Sequence, residues 1–171
     1  MHVNSNNPWL TLFTLLFLGL FLPAYAENVL HGTVSSVHDG DTVTLGAGEQ
    51  RVHVRLDGID APELKQPYGK EARDFLASFV LNKSIVVSWH KKDKYRRTVG
   101  TLQVDGRDMN LELLRAGLAW HYTKYAYEQT DIARTLYSST ERQARVQHLG
   151  LWQDQHPTPP WDYRKSKRYV R

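Results

Sequence analysis

Residues 55–63 combine one guanidinium and three carboxylates within nine positions, the groups needed to bind a metal ion and a phosphate. The segment reads Arg-Leu-Asp-Gly-Ile-Asp-Ala-Pro-Glu, beginning at Arg55 and ending at Glu63. Carboxylate oxygens are the ligands that a hard cation such as Ca²⁺ requires, and a guanidinium binds phosphate through two parallel hydrogen bonds. Because acids repel phosphate, both functions fit one loop only if a cation lies between them. The competing interpretation is a solvated acidic loop beside a surface arginine.

A second acidic pair, Asp39 and Asp41, lies in a turn between two predicted strands. Its Asp-x-Asp spacing is that of an EF-hand loop, but Thr44 and Gln50 stand where that loop requires Gly and Glu. A metal ion here must therefore draw on residues distant in sequence. Side chains two apart on a strand share a face, so Asp41 could point toward the loop that contains Asp60. For Asp39 alone, an ordinary Asp-Gly turn is the better interpretation.

Two later segments add basic and aromatic side chains. Residues 90–97 form a basic loop that ends in Arg96 and Arg97. A second guanidinium would hold charge that develops on phosphorus oxygens, although arginines in such loops are commonly inert. Residues 120–127 place Trp, His and three Tyr around Lys124. These rings could stack on a base or a sugar, but half-buried core aromatics are equally common.

The elements that must position these residues are short strands followed by helices. Alternation and β-branched residues predict strands at 29–37, 41–45, 50–57, 84–89 and 98–104. Helical spacing predicts helices at 68–81, 110–117 and 130–149, the last with Ile132, Leu136 and Ala144 inward, and residues 157–161 form an extended arm. Three consecutive strands with tight turns favour a meander that curls toward a barrel.

The first 26 residues have the character of a secretory signal peptide. An apolar run at 9–22 is too short to cross a bilayer comfortably, and Ala-Tyr-Ala at 24–26 is a cleavage signature. The alternative is an uncleaved membrane anchor, since His2 is the only basic side chain before the run. We expect export to the periplasm or the medium, with no stable membrane anchor after cleavage. The absence of Cys excludes a disulfide framework.

The excess of positive charge is concentrated at the C-terminus. The chain of 171 residues carries a formal net charge of +4, and residues 164–171 contain five basic residues and no acid. We therefore predict one domain at 27–163 and a basic tail at 164–171. Such a tail favours polyanions through counterion release, but it is more often only solubilising. The eight His residues form no HExxH motif, which argues against a zinc site.

Several ordered segments, covering about residues 29–164, carry a resemblance to a known family. They are Val-His-Asp-Gly-Asp-Thr at 37–42, residues 55–63, Asp-Lys-Tyr-Arg-Arg at 93–97, Asn110 with Gly-Leu-Ala at 117–119, Glu141 with Ala-Arg at 144–145, Gly-Leu-Trp at 150–152 and Pro-Pro-Trp at 159–161. In this order and spacing they resemble the motif series of the staphylococcal-nuclease-like (thermonuclease) family. The series is far more specific than any one of its motifs.

The resemblance implies an α+β fold, a five-stranded OB-fold β-barrel with three helices packed against it. It also implies a Ca²⁺-dependent phosphodiesterase that acts on DNA and RNA and leaves 3′-phosphates, and we expect a monomer. By position, the metal ligands would be Asp41, Asp60 and the backbone carbonyl of Ala61, with Asp39 in the outer shell. The catalytic side chains would be Arg55, Glu63 and Arg97. Substrate neighbours would be Tyr95 and either Tyr122 or Tyr125, with Arg96 as a further candidate for substrate binding.

The chain departs from the family pattern at two positions. The family usually has Gly before the second arginine, where this chain has Arg96. If that position needs positive φ, Arg96 is strained; alternatively, it adds a phosphate contact, and we assign the catalytic role to Arg97. Ala61 stands where some relatives have Thr, an exchange that a backbone carbonyl ligand tolerates.

Two other classes of function compete with the enzyme. One is a non-catalytic OB-fold module that binds single-stranded nucleic acid or a protein, which missing acids or arginines would favour. Acids and arginines are present at all five positions, which favours the enzyme. These are Asp41, Arg55, Asp60, Glu63 and Arg97. The other is a Ca²⁺-binding envelope protein whose basic tail contacts lipid.

Overall fold

The computed structural model describes residues 28–168 as one barrel with helices packed around it. The strands are β1 (Asn28–Val37), β2 (Thr42–Ala47), β3 (Gln50–Leu56), β4 (Ile59–Asp60), β5 (Ser84–Lys92), β6 (Thr98–Val104), β7 (Arg107–Asp108) and β8 (Trp120–His121). The α-helices are α1 (Gly69–Val80), α2 (Met109–Arg115), α3 (Asp131–Val146) and α4 (Pro160–Arg168). Two 3₁₀ helices cover Thr123–Glu128 and Gly150–Gln153.

The barrel contains five strands in the order β3-β2-β1-β5-β6, with antiparallel neighbours throughout. A parallel pairing between β3 and β6, with Arg55 opposite Val99, closes it. The predicted α+β fold, an OB-fold barrel of five strands with helices packed against it, is confirmed. The described part of the chain has four α-helices, one more than predicted.

The pleat of β3 determines which way the first arginine of the site faces. Val54 and Leu56 are fully buried in the barrel, while Arg55 between them is only partly buried. Successive side chains of a strand point to opposite faces, so the alternation that fills the core also turns Arg55 outward. On α1, Ala72, Leu76 and Val80 are buried one turn apart and cover the barrel.

The predicted inward face of α3 is wrong for two of its three residues. Ile132 is 82% exposed and Leu136 is 45% exposed, whereas Ala144 is buried as predicted. The buried stripe contains Tyr137 and Thr140 instead. The Tyr137 hydroxyl donates a hydrogen bond to Asp108 at 3.0 Å, so a polar partner on the barrel side selects this face. Hydrophobicity alone therefore points to the wrong side of the helix.

The C-terminal segment is helical where we expected an arm and then a tail. Pro160 begins α4, which continues through Arg168, so residues 164–168 belong to this helix. Proline suits the first turn of a helix because its missing N–H would be unpaired there. Asp162 near the start and Lys165 near the end complement the helix dipole. The remaining tail residues and the predicted signal peptide lie outside the described residues.

Within residues 28–168, none of the helices combines the length and the apolar character needed to cross a bilayer.

Candidate active site

Two acids from separate segments meet at one guanidinium, an arrangement that we call the acid centre (Asp41, Arg55 and Asp60). Arg55 Nε lies 3.1 Å from Asp41 Oδ1, and Arg55 Nη2 donates to Asp60 Oδ1 at 2.8 Å. Asp41 is 5% exposed and Asp60 is 1% exposed. Buried carboxylates are tolerated when opposite charges and hydrogen bonds compensate them. The structure thus brings together two of the predicted metal ligands and one predicted catalytic arginine.

Three hydrogen bonds with neighbouring residues fix the position of Asp41. Its Oδ2 accepts from the N–H of Ala61 at 2.8 Å, and its Oδ1 accepts from the Thr42 hydroxyl at 3.0 Å. The N–H of Asp41 in turn donates to Asp39 Oδ1 at 3.0 Å. Asp39 therefore holds the backbone of Asp41 in place. Burial, together with the negative charge of Asp41, raises the pKa of Asp39 to about 7. Ala61 is buried beside both acids.

Glu63 lies next to the acid centre and is joined to it by Arg164, a residue that the sequence analysis assigned to a basic tail. Arg164 Nη2 donates to Asp60 Oδ2 and Arg164 Nη1 to Glu63 Oε1, both at 2.8 Å. Burial raises the pKa of Asp60 in spite of these donors. Burial opposes the charge of Arg164, but its hydrogen bonds to Asp60 and Glu63 raise its pKa. Pro160, a favourable helix start, was the signal that could have placed Arg164 on a helix.

Arg97 lies in the same groove but pairs with a different acid. Its Nε and Nη2 donate to Asp93 Oδ2 at 2.8 and 2.7 Å. Asp93 Oδ1 accepts from the N–H groups of Tyr95 and Arg97, both at 2.9 Å. Although partial burial opposes ionisation, these donors lower the pKa of Asp93. Asp93 thus holds both the loop and the guanidinium, and the Arg97 guanidinium lies 5.5 Å from the centre of the Tyr95 ring.

Arg96 has a φ of 64°, in the left-handed region that favours glycine. Its N–H donates to the Asp93 carbonyl at 2.9 Å, which closes a tight turn. The side chain is exposed and is not among the residues that line the groove. The geometry therefore favours backbone strain at Arg96 over an added phosphate contact.

The acid centre opens into a groove of about 820 Å³ with a basic and aromatic border. We call this border the groove rim: the loop 93–97, the 3₁₀ helix Thr123–Glu128 with Tyr122 before it, and α4. Tyr122 stacks on Trp161 of α4, with ring centres 5.4 Å apart and planes 7° apart, and it meets Tyr125 edge-on at 5.0 Å. The lysines and arginine that line the groove beside these rings are Lys91, Lys92, Lys94, Lys124, Lys165 and Arg168.

Within the described residues, Asp57, His90 and Glu128 form a group whose geometry could bind a metal, and Asp57 and Glu128 line the same groove. The ligand atoms of Asp57, His90 and Glu128 lie within 4.8 Å of one another. No sequence motif indicates this group, because its three residues come from distant segments. Lys91 already pairs with Glu128, and an imidazole is typical of transition-metal sites. The carboxylate oxygens of Asp41 and Asp60 and the carbonyl oxygen of Ala61 are the type of donor that suits a hard cation such as Ca²⁺ better.

Comparisons with known proteins agree with this architecture. A family model described as staphylococcal nuclease homologue matches residues 53–154. A protein of Escherichia coli O157:H7 named as an uncharacterized endonuclease is 39% identical over 139 residues, which cover 81% of this chain and 87% of the relative.

Two further relatives extend the range of organisms. A protein of Haemophilus influenzae, also named as an uncharacterized endonuclease, is 30% identical over 163 residues, 95% of this chain and 88% of the relative. A staphylococcal-like nuclease of Arabidopsis thaliana is 40% identical over 119 residues, 70% of this chain and 35% of that longer protein. The relatives support a hydrolase of the nuclease class with a nucleic acid substrate. The chain belongs to the staphylococcal nuclease homologue family.

Proposed function

We propose that this protein is an exported, Ca²⁺-dependent nuclease that hydrolyses phosphodiester bonds of DNA and RNA and leaves 3′-phosphates. The observation that carries the proposal is the acid centre, in which Asp41 and Asp60 from separate segments contact the guanidinium of Arg55. Glu63 lies beside them, linked through Arg164. This places a potential base, a phosphate-binding group and hard oxygen ligands in one groove.

Asp41, Asp60 and the Ala61 carbonyl are the groups that would hold the cation. When bound there, Ca²⁺ would act as a Lewis acid toward a phosphate oxygen and a water molecule. The burial of Asp41 and Asp60, at 5% and 1% exposure, supports this assignment because the cation would add charge compensation that a surface carboxylate does not need.

Glu63 is the proposed general base, since its side chain is 37% exposed and lines the groove while Asp41 and Asp60 are buried. It takes one proton from the attacking water as the water oxygen bonds to phosphorus. The bond between phosphorus and the 5′ oxygen breaks, and that oxygen takes a proton from solvent water, while Glu63 later returns its proton to solvent. The phosphate therefore stays on the 3′ side of the cut.

Arg55 and Arg97 are proposed to hold the negative charge that develops on the phosphate oxygens. Two unit charges about 4 Å apart interact by about 4 kcal/mol at an effective dielectric constant near 20. That free energy corresponds to about three decades in rate. The groove rim supports a nucleic acid substrate because aromatic rings and lysines suit stacked bases and their phosphates.

The test is hydrolysis of single-stranded DNA and of RNA by the purified protein, with Ca²⁺ or with a chelator. We expect cleavage only with Ca²⁺, products that end in 3′-phosphate, and a loss of turnover of about a thousandfold in Glu63→Gln. Glu49→Gln is the matched control, because Glu49 is exposed in the turn between β2 and β3. Binding without cleavage would favour the non-catalytic OB-fold module, and cleavage in the chelator would exclude the proposed metal role.

Export and a monomeric state are further parts of the proposal. The support for export is the apolar run and the Ala-Tyr-Ala motif in residues 1–26. Amino-terminal sequencing of the exported protein should begin near Glu27, and sedimentation should give the mass of one chain. A product that begins at Met1 would indicate an uncleaved anchor.

A further inference from the structure

Arginine donors already occupy the oxygens that the proposed metal site would use. Asp60 Oδ1 accepts from Arg55 Nη2 at 2.8 Å and from Arg164 Nη1 at 3.2 Å, and Asp60 Oδ2 accepts from Arg164 Nη2 at 2.8 Å. Glu63 Oε1 accepts from Arg164 Nη1 at 2.8 Å. The guanidinium of Arg164 therefore contacts both Asp60, a proposed ligand of the cation, and Glu63, the proposed general base.

The charge count explains why a second guanidinium is favourable there. Asp41, Asp60 and Glu63 bring three carboxylates to the site, and within residues 28–168 Arg55 and Arg164 are the arginines that pair with them. The Asp60 side chain is only 2% exposed, so water cannot screen its charge. Arg164 supplies positive charge at a place where a divalent cation would supply more.

Contacts made by the two aromatic residues of the turn before Arg164 hold α4 over the groove independently of its ion pairs. Trp161 stacks on Tyr122 and meets Trp120 edge-on, with ring centres 5.4 and 5.6 Å apart. The Tyr163 hydroxyl donates to the carbonyl of Lys65 at 3.1 Å. The helix backbone is therefore anchored to the domain, while the long Arg164 side chain, 36% exposed, has room to leave the acids.

We propose that Arg164 competes with a divalent cation for the carboxylate of Asp60 and withdraws from both Asp60 and Glu63 when the cation binds. The inference rests on the proposed function, because it takes Asp60 as a ligand of the cation. A guanidinium and a cation at one carboxylate repel each other, so binding of the cation is coupled to the loss of the Arg164 pairs. Arg164 thereby sets the cation concentration at which the site fills.

The test is calorimetric titration of the purified protein with CaCl₂ alone, without nucleic acid. We expect Arg164→Gln to bind Ca²⁺ about tenfold or more tightly than the wild type. Lys165→Gln is the matched control: it removes one positive charge from the same helix and groove, but Lys165 forms no ion pair within the described residues. Its affinity should change by less than about threefold. Arg164→Lys keeps the positive charge but loses the planar guanidinium, so its affinity for Ca²⁺ should lie between that of the wild type and that of Arg164→Gln.

The outcomes separate this inference from the function on which it rests. Equal affinities in the wild type and Arg164→Gln overturn the inference while leaving the metal site in place. Weaker binding by Arg164→Gln also overturns it, since Arg164 would then position Asp60 for the cation. If no variant binds Ca²⁺, the proposed metal site fails and the inference fails with it. Should Arg164→Gln not fold, as judged by circular dichroism, the Ca²⁺ affinity of Arg164→Lys is compared with that of Lys165→Gln. Tighter binding by Arg164→Lys supports the inference, and equal or weaker binding overturns it.

Discussion

The acid centre and the groove rim carry charge in opposite ways. In the acid centre, Asp41 and Asp60 are almost completely buried and are fixed by Arg55 and by backbone donors. In the groove rim, Tyr95 is 65% exposed and the basic side chains face solvent. In the acid centre, Asp41 precedes β2, Arg55 lies on β3 and Asp60 lies on the short strand β4, whereas the rim is built on a loop, a 3₁₀ helix and α4.

This difference assigns separate tasks to the two regions. Groups that must be held at fixed distances are placed where packing and hydrogen bonds leave no freedom. Groups that contact a long, variable polymer are placed where side chains can adjust. Substitutions in the acid centre should therefore change stability and turnover together, whereas a substitution in the rim should not change both.

The largest effect is expected from Arg55→Gln. It leaves two buried carboxylates without their shared partner, which should lower the free energy of unfolding by about 3–5 kcal/mol. Turnover should fall by a factor of about 10²–10³ because one phosphate-binding group is lost. Urea unfolding in the chelator and single-turnover cleavage measure the two effects. Unchanged stability would show that the acid centre does not depend on Arg55.

Arg97→Gln should separate the two effects. Arg97 is 29% exposed, and Asp93 keeps its backbone donors when the guanidinium is removed. Turnover should again fall by about 10²–10³, while the free energy of unfolding changes by less than about 1 kcal/mol. The same pair of assays applies. Near-normal turnover in both Arg55→Gln and Arg97→Gln would show that these arginines do not stabilise the charge that develops on the phosphate oxygens.

Tyr125→Ala tests the rim as a surface for bases. Stacking of a base on an aromatic ring contributes about 1–3 kcal/mol, so KM should rise roughly tenfold with kcat almost unchanged. Tyr127→Ala is the control, since Tyr127 is 74% exposed and is not among the groove-lining residues. Equal KM values for the two variants would exclude Tyr125 from substrate binding.

The smallest effect is expected from Arg96→Gly. Removing the side chain relieves a left-handed backbone that costs about 1–2 kcal/mol for residues other than glycine, so the melting temperature should rise by a few degrees. Asp105→Gly is the control: Asp105 also has positive φ, at 49°, but Asp tolerates this region better. A fall in turnover in Arg96→Gly would instead indicate a phosphate contact.

Alternation along the strands predicted the barrel, and the resemblance predicted that Asp41, Arg55 and Asp60 lie together. Alternation in β3 fixes the outward direction of Arg55, and the motif at 55–63 holds its acids within one loop. Arg164 could not be placed in the same way, since its contact with Asp60 joins residues 104 positions apart. The inward face of α3 was missed for a related reason: a tertiary hydrogen bond from Tyr137 outweighs the apolar side chains of Ile132 and Leu136.

The account depends most on the claim that Asp41 and Asp60 share one divalent ion. Calorimetric titration of Ca²⁺ into the wild type, Asp41→Asn, Asp60→Asn and Asp57→Asn tests it directly. We predict one site in the wild type, a loss of affinity of at least about tenfold in each of the first two variants, and normal binding in Asp57→Asn, which changes the neighbouring group with His90 and Glu128. Unaltered binding in Asp41→Asn and Asp60→Asn, with a loss in Asp57→Asn, would contradict the account.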